Sequence, residues 1–254
     1  MKAATLPRVT IYNLVSLDGR VDRVADSPEA MLLYYELSYR WKVDAILAGS
    51  ETIFVLGGHE VEEMATEEPD PPRKAPPPGT EGLIYEPRPL LVVPDSRGRI
   101  HNWRLLQQEP WWRKIVVLCS KATPPSYLDY LAKRHLEYLI VGDDRVDFRQ
   151  ALEELKVRYG VKSVRTDCGG RLNGVLLRAG LVDEVSVLIS PTLVGGRRGT
   201  SLFDEGEVES SGGFIQLSLV HMERVRGGFV WLRYEVAGRE PTLEKPLKAE
   251  TDII

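Results

Sequence analysis

Val161 to Ser190 reads VKSVRTDCGGRLNGVLLRAGLVDEVSVLIS, and this stretch decides the fold class. Val161 to Thr166 has the pattern of a buried strand, and the glycine-rich turn Asp167-Cys168-Gly169-Gly170 follows it at once. Leu172 to Ala179 then carries helical spacing and stops at Gly180, a residue suited to ending a helix. Asp183 to Ser190 returns to strand character. A strand, a glycine turn, a helix and a second strand form the repeating unit of an α/β sheet.

Upstream the same alternation recurs. Arg8 to Leu17 (RVTIYNLVSL) is apolar on both faces, as a central strand requires. Val43 to Ala48, Pro89 to Pro94, Lys114 to Cys119 and Leu136 to Val141 read as further buried strands. Ser27-Pro28-Glu29 opens a helix, with Ser27 at the N-cap and Pro28 in the first turn. Tyr127 to Arg134 and Asp147 to Tyr159 carry helical spacing. Downstream, Phe214 to Val225 and Phe229 to Val236 form a hairpin around Arg226-Gly227-Gly228. The expectation is one α/β domain over residues 1–240. Its mixed, mostly parallel sheet is flanked by helices and closed by a C-terminal antiparallel hairpin. Residues 67–88, rich in Pro and Glu, read as a surface insertion, and residues 241–254 as a peripheral tail.

Composition narrows the function. A formal charge of −4 over 254 residues gives no argument for nucleic acid or an anionic membrane surface. No apolar run approaches the ~18 residues that span a bilayer. Two cysteines without a C-x-x-C pair and four scattered histidines offer neither a disulfide framework nor zinc spacing. The expected compartment is a reducing cytoplasm, with a small molecule as the partner and no metal.

Ligands of open parallel sheets bind beyond the carboxyl ends of the strands. Three loops qualify: Gly49-Ser50-Glu51-Thr52, Asp95-Ser96-Arg97-Gly98 and Asp167-Cys168-Gly169-Gly170. In each, glycine lets backbone amides approach a phosphate. Tight packing and ordinary turn chemistry explain each one equally well when taken singly. No G-x-G-x-x-G or P-loop is present. Ser16-Leu17-Asp18-Gly19 ends the first strand and adds a carboxylate placed for acid–base or ribose-binding work, although Asp-Gly is also plain turn chemistry.

Four segments in order resemble the pyrimidine reductases of riboflavin biosynthesis: SLDGR (16–20), Arg40 with DAILAGSETI (44–53), PLLVVPDSRGRI (89–100) and CGGRLNGVLLRAGLVDEVSVLISPTLVGG (168–196). The resemblance implies a dihydrofolate-reductase-like fold and an NADPH-dependent enzyme. Such an enzyme reduces a ribosylamino-pyrimidine phosphate to its ribitylamino form. It implies cofactor contacts from Gly49, Thr52, Asp95, Ser96, Arg97, Gly142, Gly169 and Gly170. Substrate contacts would come from Ser16, Ser27, Arg40, Asp167 and Cys168, with Arg40 on the substrate phosphate and Asp18 as the catalytic carboxylate. It also implies a homodimer, and the absence of H-x-E and P-C-x-x-C implies a reductase without the zinc deaminase to which some members are fused. Two departures stand out. Cys168 occupies the place of a substrate-touching Glu, and Leu56 that of an Asp. A same-fold reductase for another pterin-like, imine or carbonyl substrate, and a non-catalytic nucleotide-binding protein, remain as alternatives.

Overall fold

Strand pairing sets the architecture. The computed structural model describes residues 6–21, 24, 27–57, 71–196, 200–203 and 214–237. The expected tail, 241–254, and the start of the Pro-rich segment, 67–70, lie outside them. In chain order the elements are β1 (Arg8–Ser16), α1 (Pro28–Ser38), β2 (Ala45–Leu47), α2 (Ser50–Gly57), β3 (Leu90–Pro94) and α3 (Trp103–Gln107). There follow β4 (Lys114–Cys119), α4 (Pro125–Lys133), β5 (Glu137–Ile140), α5 (Phe148–Tyr159), β6 (Ser163–Thr166) and α6 (Gly170–Arg178). The chain closes with β7 (Glu184–Ser190), β8 (Leu217–Arg224) and β9 (Val230–Val236).

These strands form one sheet in the order β5-β4-β3-β2-β6-β1-β7-β9-β8. Strands β1 to β7 pair in parallel, and β9 runs antiparallel to both β7 and β8. The expected parallel sheet with a C-terminal hairpin is therefore what the residues build. Some boundaries differ. β2 is shorter than the expected 43–48 because the Asp44 carboxylate caps the neighbouring strand, accepting from Lys162 N, Ser163 N and Ser163 Oγ at 2.8–3.0 Å. Helix α6 starts at Gly170, two residues early, and the five-residue α3 is too short to leave a sequence period.

Alternation along the strands sends Val9, Ile11, Leu47, Val92, Leu118 and Val164 to one face, where α5 and α6 cover them. The other face carries two separate clusters. One holds Leu91, Val117, Trp103 and Tyr127 under α2, α3 and α4, and the other holds Tyr12, Leu33, Leu188 and Trp231 under α1. Each fully buried Leu or Ile contributes roughly 1.5–3 kcal/mol. Helix α1 begins as expected, with Ser27 Oγ accepting from Ala30 N at 3.3 Å. Of the Pro-rich segment, residues 71–88 run without regular structure apart from one short turn at Glu81–Leu83. They are held by Lys74 N donating to Gln108 O and by the Tyr85 hydroxyl bonding Val43.

Candidate active site

Because β1 to β7 are parallel, every loop singled out from the sequence emerges at the same edge of the sheet, and hydrogen bonds join these loops into a chain. Lys121 N donates to Gly142 O, and Thr123 Oγ1 to Ser96 O at 2.9 Å. Arg99 Nη2 donates to Ser50 Oγ at 2.8 Å, and Thr52 Oγ1 reaches Asp167 O at 3.4 Å. Beneath the edge, Asn13 Nδ2 donates to Cys168 O at 2.9 Å. Buried Asn173 bonds Asn13 and Cys168 O and accepts from Thr166 Oγ1. The loops after β5, β4, β3, β2, β6 and β1 are thus consecutive stations along one rim.

Two glycines are fixed by sterics. Gly142 has φ +83°, and a Cβ there would lie 2.2 Å from Arg145 O. Gly98 has φ +65°, and a Cβ would meet the Tyr127 ring at 2.6 Å. Gly169 differs, since a Cβ would meet nothing within 4 Å. It is the N-cap of α6 and offers no capping side chain, so the first turn of that helix presents its amides to the rim. A helix start of this kind, with Arg97 exposed and Arg99 close by, fits the phosphates of a dinucleotide.

Several expected contacts take other roles. Asp95 is buried, and its Oδ2 accepts from Arg99 N, Ile100 N and the Tyr127 hydroxyl at 2.8–2.9 Å. It shapes its loop from inside, while Ser96 and Arg97 lie outward. Cys168 corrects the expected substrate contact. Its Sγ donates to Leu47 O at 3.0 Å within the apolar core, and burial pushes the thiol well above its ordinary pKa. The reason is strand alternation: Thr166 and Cys168 share one face, while Arg165 and Asp167 share the other.

Arg40 has partners on the C-terminal hairpin. Ser27 and Arg40 flank opposite ends of α1, a helix of 11 residues and so about 16 Å long. Arg40 Nη1 lies 3.3 Å from Glu223, and its guanidinium sits over the Trp231 ring at 5.5 Å. Its described partners are therefore on the hairpin.

Asp18 is fully exposed yet thoroughly engaged. Ser16 Oγ donates to its Oδ1 at 2.7 Å, Val194 N to Oδ1 at 3.1 Å and Gly195 N to Oδ2 at 2.9 Å. The Ser16 bond first, then the two amides, hold its pKa down to about 2. A carboxylate so stabilised makes a poor proton donor. Asp18 anchors residues 194–195 to the end of β1, and buried Ser16 serves that anchor.

Sequence reading missed Arg165. It is almost entirely buried, with Nε and Nη2 donating to the two carboxylate oxygens of Asp167 at 2.9 and 3.0 Å and Nη1 donating to Ser38 O. Burial works against its charge, but the Asp167 carboxylate holds its pKa above the ordinary value. The signal was present as an Arg inside a buried strand with an Asp two residues on. Asn173 was equally silent, lying in the middle of an apolar helix.

Comparison with known proteins agrees with this arrangement. The family described as RibD C-terminal domain matches residues 7–231. The 2,5-diamino-6-ribosylamino-4(3H)-pyrimidinone 5′-phosphate reductase of Methanothermobacter thermautotrophicus is 30% identical over 223 residues, 84% of this chain and 91% of that protein. Among solved structures, the Saccharomyces riboflavin biosynthesis reductase Rib7 superposes with a TM-score of 0.60 at 21% identity, covering 93% of each chain. The Thermotoga maritima deaminase/5-amino-6-(5-phosphoribosylamino)uracil reductase gives 0.57 at 16% identity, covering 91% of this chain and 57% of that one. With the family match spanning nearly the whole described sheet, this chain belongs to the RibD C-terminal domain family, the pyrimidine reductases of riboflavin biosynthesis, built on a dihydrofolate-reductase-like fold.

Proposed function

We propose that this protein reduces 2,5-diamino-6-ribosylamino-4(3H)-pyrimidinone 5′-phosphate to its ribitylamino form, with NADPH as reductant. The observation that carries the reading is the continuous rim of loops meeting the uncapped start of α6. The Gly169-Gly170 turn would hold the dinucleotide phosphates. Gly49, Thr52, Ser96 and Gly142 would flank them, and Arg97 and Arg99 would favour the extra phosphate of NADPH over NADH. The nicotinamide supplies hydride. The protein's share is to position the open-chain form of the sugar so that C1′ receives it, and to keep the proton route open. Asp18, held ionised, keeps the loop at 194–195 in place while water delivers the proton.

The test is direct. Incubation with NADPH and the diaminopyrimidine ribosyl phosphate should consume NADPH and yield a product heavier by two hydrogens. Turnover with dihydrofolate in its place would favour the same-fold alternative, and tight NADP+ binding without turnover on either would favour a non-catalytic protein.

We further propose a homodimer through the hairpin. Leu217, Leu219 and Met222 of β8 are 40–69% exposed and, by register, share a face with Leu232, Tyr234 and Val187. Among the described residues no helix covers that face beyond β7, and an apolar sheet edge of this kind is typically paired or covered. A cytoplasmic location is in keeping with two buried cysteines held as free thiols. Among the described residues no helix is long and apolar enough to cross a membrane.

A further inference from the structure

The peptide between Cys168 and Gly169 has two directions open to it. It is trans, so its carbonyl and its N–H point opposite ways. Gly169 has no Cβ to bias the choice, and its φ of −75° with ψ 174° is ordinary extended backbone. A Cβ built there would meet nothing within 4 Å, so no contact on the rim side holds the turn. The direction matters to a bound dinucleotide: an outward N–H attracts its phosphates, and an outward carbonyl oxygen repels them.

Two asparagines beneath the turn settle the direction. Ile11 pairs with Thr166, so Asn13 stands opposite Cys168, two residues further along the same face. Asn13 Nδ2 donates to Cys168 O at 2.9 Å. Asn173 of α6 is fully buried, and its Nδ2 donates to the same oxygen at 3.2 Å and to Asn13 Oδ1 at 2.9 Å. Asn173 Nδ2 also meets Leu202 O at 3.2 Å. Cys168 O and Leu202 O are carbonyls that only accept, which fixes the end of the Asn173 amide that carries the hydrogens. Two donors thus draw the Cys168 carbonyl inward and turn Gly169 N–H out. Gly169 is exposed between buried Cys168 and buried Gly170, and among the described residues its N–H has no acceptor. The face that holds the pair is otherwise built from Val9, Ile11, Val164 and Leu176, where an apolar side chain would pack as well. The use of the two amides lies in the turn above them.

We propose that Asn13 and Asn173 are positioning residues that aim Gly169 N–H at the diphosphate of the dinucleotide. They touch neither cofactor nor substrate and act through the Cys168 carbonyl. Without them that oxygen is left buried with no donor, and the turn relieves it by rotating the peptide, which presents the carbonyl to the phosphates instead. Glycine at 169 leaves that rotation sterically free. The inference rests on the function proposed above.

The experiment measures NADP+ binding by direct titration, with steady-state kinetics beside it. Asn13→Leu removes the nearer donor from Cys168 O and leaves Leu202 O its partner, so it acts on this turn alone. NADP+ affinity should fall about tenfold, the scale of one hydrogen bond to a charged group. KM for NADPH should rise to match, while kcat at saturating NADPH and KM for the pyrimidine stay within about twofold. The double variant Asn13→Leu with Asn173→Leu exchanges both amides for apolar side chains of the same branched shape. It should fold and bind NADP+ on the order of 10²-fold more weakly than the wild type. Asn13→Ala, which removes the donor without adding bulk, carries the same test if the leucine variants do not fold. A folded variant with NADP+ affinity within about twofold of the wild type would overturn the inference and leave the reductase assignment standing. So would a loss of NADP+ affinity matched by an equal rise in KM for the pyrimidine, the mark of general loosening. A wild type that binds no NADP+ would remove the function proposed above and this inference with it.

Discussion

The two faces of the sheet are built differently. On one, Val9, Leu47, Val92, Leu118, Leu139 and Val164 pack continuously under α5 and α6. On the other, the cluster under α1 and the cluster under α2–α4 never merge. Between them lies a seam where Ile46, Tyr39, Tyr85, Trp111 and Arg165 line a small, partly open pocket. Both faces come from the same strands, so backbone geometry does not explain the split. A single position does: in the ladder Leu91, Ile46, Arg165, Thr10, the third side chain is a guanidinium. The sealed face holds the fold together, while the split face gives up packing to place a charged group at the rim.

The severest way to test that contrast is to mend the seam. Asp167→Leu alone leaves Arg165 buried without its carboxylate, and unfolding free energy should fall by about 3–5 kcal/mol. Adding Arg165→Met should restore most of that loss, measured by denaturant titration, because an apolar pair lets the two clusters meet. Reductase activity should stay absent in both variants. A double variant as unstable as Asp167→Leu would mean that the ion pair holds the strands together and that the seam is structural.

A second test lies where the sealed face runs out of helices, past β7. Leu219→Glu places a charge on the uncovered sheet, and sedimentation should then show half the wild-type mass. Turnover per chain should change little, because β8 borders none of the rim loops named above. A wild type that already sediments as a monomer would remove the dimer proposal.

The sealed face was largely legible in the sequence, and the split face was not. Arg8 to Leu17, Lys114 to Cys119 and the glycine turns announce strands and loops because apolar period and turn chemistry are local signals. That these loops share one edge follows from parallel pairing, which the alternation of strand and helix already implied. Side-chain partnership is not local. Arg165 looks solvated until Ser38, from a distant helix, is found against it. Asp18 looked catalytic because its loop partners, Val194 and Gly195, are 176 and 177 residues away. The Arg40 contact with Glu223 was hidden for the same reason, its partner lying in the last strands.

Asp18 gives the smallest and most discriminating test. Its bonds to Ser16, Val194 and Gly195 hold its pKa at about 2, below the ordinary carboxylate value. The sign follows directly: a folded-state pKa below the unfolded one stabilises the fold at neutral pH, and the contribution disappears as pH falls from about 4 through 2. Over pH 5–9 Asp18 therefore stays ionised and shapes no limb of a pH–rate profile. Asp18→Asn keeps one oxygen for Val194 but turns an N–H₂ toward the Gly195 amide, donor against donor. The loop should loosen, and kcat/KM should fall a few-fold at every pH, with both limbs of the profile unmoved. If a limb between pH 5 and 9 vanished in the variant, the carboxylate would have to exchange its proton in that range. Three hydrogen bonds to its charged form argue against such an exchange, since each one stabilises the state that has already lost the proton.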